Sequence, residues 1–170
     1  MTLAGHINAS RGRPAQRSSL NQMRSIASGN ATEKALNAGQ IDSATPWLRR
    51  YLEHTLLDII QEVRIPVPID FALDDNQKQV QHAISAIEAA VKLHQAAGDL
   101  VLDPNQVKGI ALHMASIVGN FVSHEATGST APFSAGSLLG VLKSIDEYAD
   151  CFKMTEPSGI RRYCRSLAKK

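Results

Sequence analysis

The sequence has few of the features that announce a chemistry. Its two cysteines, Cys151 and Cys164, have twelve residues between them, no CxxC spacing and no neighbouring pair of histidines. That is too few ligands for a zinc site, so both are expected to be ordinary reduced thiols. No stretch approaches the roughly 18 consecutive apolar residues a membrane span requires. The first 30 residues hold four arginines and lack the apolar block of a secretory signal. A cytoplasmic location is therefore expected. Neither GxxxxGK[ST] nor a helix-opening GxGxxG is present, so the usual P-loop and dinucleotide routes are not expected. The absence of GxSxG and HExxH removes the commoner hydrolases that can be read locally. No cofactor and no metal are expected.

What is present fits an ordinary globular chain. Apolar residues make up 44% of the 170 and charged residues 20%, enough to fill one core of common size. The net charge of +2 is unevenly spread: residues 1–46 carry five basic and two acidic groups, residues 47–150 seven and thirteen, and residues 151–170 six and one. Basic ends of this kind are suited to nucleic acid or an acidic partner, whereas the acidic body would repel phosphate. Solubility alone would also account for them.

Helical periodicity dominates the body. Residues 1–44 read as a flexible basic arm with one short helix in it, where Leu20, Met23, Ile26 and Ala27 recur at helical spacing. Thr45-Pro46 predicts the start of a helix with Leu48, Tyr51, Leu52, Thr55, Ile59, Ile60 and Val63 on its buried stripe and Arg49, Arg50, Glu53, Asp58 and Glu62 mainly outside it. It should end near Arg64, before Ile65-Pro66-Val67-Pro68. A second helix is expected from Asp74 or Asp75 to Ala97, stopped by Gly98. Asp103-Pro104 announces a third, fading around Ser123 and His124, and Ser134 a fourth that extends to Phe152. A last short helix with Ile160, Tyr163, Cys164 and Leu167 on one side would close the domain. No strand is predicted beyond a short extended piece within Val67 to Leu73. Four amphipathic stripes that must bury against one another predict a mainly α fold, an antiparallel bundle of four to five helices over residues 45–168.

The chemically richest stretch is Gly119 to Glu125. His124, at the exit of the third helix, has an imidazole suited to general acid–base work, with Asn120 beside it; both residues would equally serve to satisfy a helix end. Arg49 and Arg50, and Arg161, Arg162 and Arg165 in the tail, are the candidate phosphate-binding cations. Arg49 and Arg50 with Glu53 also fit a solvated helix face with i to i+4 pairing. Asp74-Asp75 is explained by capping and dipole complementarity at a helix start.

One pattern combines these pieces. Leu48-Arg49-Arg50-Tyr51-Leu52-Glu53 opening a helix, a middle helix ended by Gly98, Gly119-Asn120 followed by Ser123-His124, and Arg162-Tyr163-Cys164-Arg165-Ser166-Leu167 near the end resemble HEPN-like helical domains. More narrowly they look like the C-terminal helical region of some SMC-like ATPases of bacterial and phage-defence context. The resemblance implies a bundle that pairs with a second copy and works beside nucleic acid or a nucleotide-driven motor such as an ATPase. Catalytic members of that family place an arginine four to six residues before a histidine to cleave RNA. The matching positions before His124 are Ile117, Val118 and Gly119, which offer no arginine. Arg49 and His54 have the spacing but lie on the opening helix. The leading expectation is thus a non-catalytic helical interaction module that self-associates and contacts nucleic acid through its basic ends. Its rivals are a HEPN-type ribonuclease and a small dimeric adaptor without a nucleic-acid role.

Overall fold

A 23-residue helix, α2 (Ile41–Val63), forms the centre of the molecule. Ala44, Leu48, Leu52, Leu56, Ile59 and Val63 recur along it at three- and four-residue spacing, and each is almost wholly buried. The computed structural model describes residues 20–67, 76–123 and 133–169. Against α2 pack α1 (Leu20–Asn37), α3 (Asn76–Ala97) and α5 (Ala135–Asp150), α4 (Pro104–Ile117) packs against α5, and a two-stranded sheet, β1 (Lys153–Thr155) and β2 (Arg161–Tyr163), closes one side. The protein is mainly helical, as the stripes predict. Among the described residues no helix is long and apolar enough to cross a membrane.

Several boundaries follow from local chemistry. Asp103 accepts from the backbone N–H groups of Asn105 and Gln106, while Gln106 Oε1 accepts from the N–H of Asp103 at 2.9 Å, so a full capping box starts α4 with proline in its first turn. Ser134 Oγ accepts from the N–H of Ser137 at 3.0 Å and starts α5. Gly98, at φ +73°, turns the chain out of α3. The N–H of Asp99 then reaches back to the carbonyl of His94, which satisfies an exposed helix end. α2 ends at Arg64, as expected, in the left-handed conformation at φ 60°.

Other boundaries differ from the sequence reading. α2 begins at Ile41, so Pro46 lies inside it and forfeits one helical hydrogen bond, and Thr45 donates to the carbonyl of Ile41 instead of capping. More consequentially, the expected arm contains the 18-residue helix α1, which lies antiparallel against α2 across a three-residue turn. The helical body therefore includes residues ahead of the expected start at 45. The reason is the character of α1's inner face. Ser25, Ser28, Thr32, Ala35 and Leu36 point inward, whereas Met23 and Ile26, two of the apolar residues at helical spacing, stand exposed. Hydroxyls make this interface work: Ser25 Oγ and Thr55 Oγ1 are 3.1 Å apart, Ser28 Oγ and His54 Nδ1 3.2 Å, and Thr32 Oγ1 donates back to the carbonyl of Ser28.

The closing short helix is a hairpin instead. Lys153 pairs with Tyr163 and Thr155 with Arg161 in antiparallel register. Pro157-Ser158-Gly159 forms the turn, with Gly159 at φ +79° and its N–H on the carbonyl of Glu156 at 2.8 Å. Proline and a left-handed glycine favour a turn that reverses the chain over one that continues a helix. Beyond it, Val101 N–H donates to Leu167 at 2.7 Å and Lys169 N–H to Asp99 at 2.6 Å, which ties the tail to the α3–α4 connection and buries Leu100, Leu102 and Leu167.

α4 and α5 run antiparallel, with Ser116 opposite Ser144 and His113 opposite Glu147. Gly109 leaves room for the close approach there: a Cβ on it would lie 2.9 Å from Cys151 Sγ, so one of the two would have to shift. Alanine raises helix propensity by about 1 kcal/mol, but forcing this contact costs roughly 1–3 kcal/mol. Gly109→Ala should therefore lower the thermal midpoint in the natural chain and raise it when combined with Cys151→Ala. A double-mutant cycle by thermal unfolding reads the reversal; the same sign in both backgrounds would dismiss the contact.

Candidate functional site

Two concave surfaces stand out among the described residues. The first is a polar cavity of about 400 Å³ enclosed by α1, α2, the end of α5 and the hairpin. Three carboxylates border it: Asp58, only 3% exposed, Asp146 and Asp150. Their charges are largely met from within. The Tyr51 hydroxyl donates to Asp146. Lys153 Nζ lies 2.7 Å from Asp150, and Arg161 donates to that carboxylate at 3.2 Å and to the Asp150 backbone carbonyl at 2.9 Å. Arg161 on the last carbonyl of α5 complements the helix dipole, and together with Lys153 on the Asp150 carboxylate it fastens the hairpin. The arrangement joins four elements through one polar network.

Burial pushes the tyrosines of this region well above their ordinary range. Desolvation is the main cause at Tyr51, reinforced by its bond to Asp146, and at Tyr163, reinforced by the nearby charges of Asp58 and Asp150. Asp146 is itself raised by desolvation, which the Tyr51 hydrogen bond partly opposes. Burial likewise raises the thiols of Cys151 and Cys164; Cys151 Sγ donates to the carbonyl of Glu147 at 3.2 Å. Both cysteines are free. Thiols held this way are poor nucleophiles.

The second surface is an apolar trough of about 460 Å³ between α3 and α4. Val91, Ile110 and Met114 form its buried floor. Val107, Ala111, Ala115 and Val118, one face of α4 at i, i+4, i+8 and i+11, form one wall, and Glu88, Lys92 and Gln95 of α3 form the other. Leu112, 65% exposed, stands on the shoulder beside it. The Tyr148 hydroxyl is buried and has no hydrogen-bond partner among the described residues, and desolvation pushes its ionisation far up.

The residues expected to act are dispersed across this frame. Asn120 is exposed in a π-helical turn, Val118–Val122, that extends α4, with its amide donating to Ser116 Oγ at 3.4 Å. His124 and Asp74-Asp75 lie outside the described residues. Arg49 pairs with Glu53 at 3.0 Å, the i to i+4 contact that the sequence suggests, and Arg50 lies over the ring of Trp47 at 5.1 Å. Arg161 serves Asp150, Arg162 lies 3.5 Å from Glu156, and Arg165 is exposed. Arg49 and His54 are five positions apart, about 140° round the helix, and His54 turns toward Ser28 of α1. They do not face a common point.

Sequence reasoning misses the polar cavity, above all Asp58, which periodicity places outside the buried stripe of α2 and which the structure buries. Its position between Thr55 and Ile59 was the available signal, because a residue flanked by stripe positions is drawn inward wherever neighbours surround the helix. Tyr163, expected on a last short helix, lies on β2 and lines the cavity instead.

Fold and surfaces together define a helical bundle with a C-terminal hairpin clasp and an open apolar trough. No family model matches the chain, and no curated protein or solved structure matches it either.

Proposed function

We propose that this protein is a non-catalytic helical interaction module whose contact surface is the trough between α3 and α4. The observation that carries this reading is the trough itself, a concave strip with an apolar floor and a small-residue wall on which another helix fits closely. The polar groups elsewhere support it. The hydroxyls and carboxylates near the first cavity bind one another, and four of the five arginines offered as phosphate ligands already hold a carboxylate or a ring. Each would have to exchange that contact for a phosphate. An apolar strip needs no such exchange.

A photo-reactive side chain at position 111, in the trough, should cross-link in cells to protein. The same group at position 93 on the far side of α3, where Leu93 is also exposed, should not. Equal labelling from both positions, or none from position 111, would overturn the reading. Cleavage of RNA by the purified chain, abolished by His54→Ala, would replace it with the ribonuclease rival.

A further inference from the structure

We infer that the polar cavity bordered by α1, α2, α5 and the hairpin binds a small aliphatic amine, whose ammonium group sits on the Asp146 carboxylate beside the Tyr51 hydroxyl. This site is separate from the trough and goes beyond the interaction-module reading. The cavity already holds one ammonium group, its own. Lys153 Nζ lies 2.7 Å from the Asp150 carboxylate and 5.4 Å from the centre of the Tyr163 ring. The carboxylate supplies a charge-assisted hydrogen bond and the tyrosine an electron-rich face.

Tyr51 and Asp146 bring the same two kinds of group together in the same cavity. α2 presents the tyrosine, and α5 presents the carboxylate one turn ahead of Asp150, on the same side of the helix. This second pair has no cation of its own. Among the described residues Asp146 forms no ion pair, and the nearby Lys153 and Arg161 are both engaged by Asp150. The Tyr51 hydroxyl is neutral, so its hydrogen bond orients the Asp146 carboxylate without cancelling its charge, and its oxygen keeps a lone pair for an incoming N–H. Asp146 is also exposed, which lets a ligand reach it.

Charge and shape agree on the class of ligand. Desolvation is the main reason Tyr163 resists ionisation, and the fields of Asp58, Asp150, Glu62 and Asp146 add to it, so the potential inside the cavity is negative. That sign draws a cation and repels a phosphate or carboxylate. Among the described residues no group of His, Cys, Asp and Glu side chains is arranged to hold a metal ion. An organic cation suits the walls better, because Ile26 and Ala149 offer apolar surface to a short carbon chain. The volume of about 400 Å³ lies within the roughly 300–1,000 Å³ of small-molecule sites.

Titration calorimetry of the full chain with n-butylamine hydrochloride at low ionic strength tests this, with 1-butanol and butyrate as the neutral and anionic counterparts. The amine should bind with a Kd on the order of 1 mM, and the alcohol and the acid should give no saturable heat. Because the ligand binds the folded chain, the amine at ten times its Kd should raise the thermal midpoint by about 3–5 °C. Asp146→Asn, a change at an exposed position that should leave circular dichroism unaltered, should weaken binding about tenfold. Asp42→Asn removes an exposed carboxylate outside the cavity and should leave the affinity within about twofold. Absence of binding up to 20 mM amine, equal binding of the alcohol, or an affinity that ignores Asp146→Asn while the variant remains folded would refute the inference. Equal losses from Asp146→Asn and Asp42→Asn would reduce it to a diffuse field and also refute it. Cross-linking from position 111 is unaffected by any of these results, so the amine site and the trough stand or fall separately.

Discussion

A chain that starts at Gln40, lacking α1, is expected to lose cooperative unfolding altogether. Ala44 and Leu48 of α2 are fully buried, and α1 lies along this half of the helix, with Ala35 and Leu36 sealed in the same core. Stripping the cover from several hundred Å² of apolar surface forfeits roughly 5–10 kcal/mol, comparable to the entire stability of about 5–15 kcal/mol of a typical domain. The hydroxyl contacts from Ser25 and Ser28 to Thr55 and His54 go with it, and the buried Thr55 loses its Ser25 partner. Thermal or urea unfolding followed by circular dichroism should show a broad, shallow transition in the truncated chain. A sharp transition within a few degrees of the full chain would mean that α1 is an appendage after all.

None of the three tyrosines should ionise in the native state near the ordinary value of about 10. Tyr51, Tyr148 and Tyr163 are all raised, with desolvation the first cause at each. The sign follows from linkage. A group whose folded-state pKa lies above its unfolded value stabilises the fold fully below the unfolded pKa, and that contribution is lost as pH rises through the folded value. Stability should therefore fall steeply once pH passes about 10, and phenolate absorbance should rise together with the loss of helix, in one step. Tyr148→Phe, which also removes a buried hydroxyl with no partner among the described residues, should keep or increase stability at neutral pH and make the alkaline fall shallower. Gradual titration of one or more tyrosines with the helices intact would contradict this account of their burial.

Both predictions concern places where a one-dimensional reading falls short, and for different reasons. The stripes of α2, α4 and α5 could be read directly, because Leu, Ile, Val and Phe at three- and four-residue spacing have no other favourable destination than a core. The stops were equally legible at Asp103-Pro104, Ser134 and Gly98, where one residue's chemistry decides the backbone. α1 could not be seen this way. Its inner face is serine, threonine and alanine, and their value depends on the hydroxyls and the Tyr51 ring that α2 presents to them; Gly29 matters only because that ring lies against it. The hairpin escaped because three-residue strands are too short to show alternation, although Pro157-Ser158-Gly159 did mark the turn.

The candidate surfaces divide in the same way. The individual residues of the trough were legible as apolar or exposed positions on two helices, but that α3 and α4 stand apart and leave a channel is a property of how α2 and α5 hold them. The arginines show the opposite relation. From composition they look available to phosphate, and only the folded chain brings Asp150 to Arg161 and Glu156 to Arg162.

By itself the sequence determined that this chain is helical, where four of its helices lie and which faces they bury, since periodicity and capping act over a few residues. Tertiary structure alone decided that a polar helix belongs to the core, that the tail folds back as a clasp and ties Arg161 to Asp150, and that an apolar strip remains open. Those outcomes depend on residues that no single helical turn brings together, whose interaction energy has no local signature until folding places them side by side.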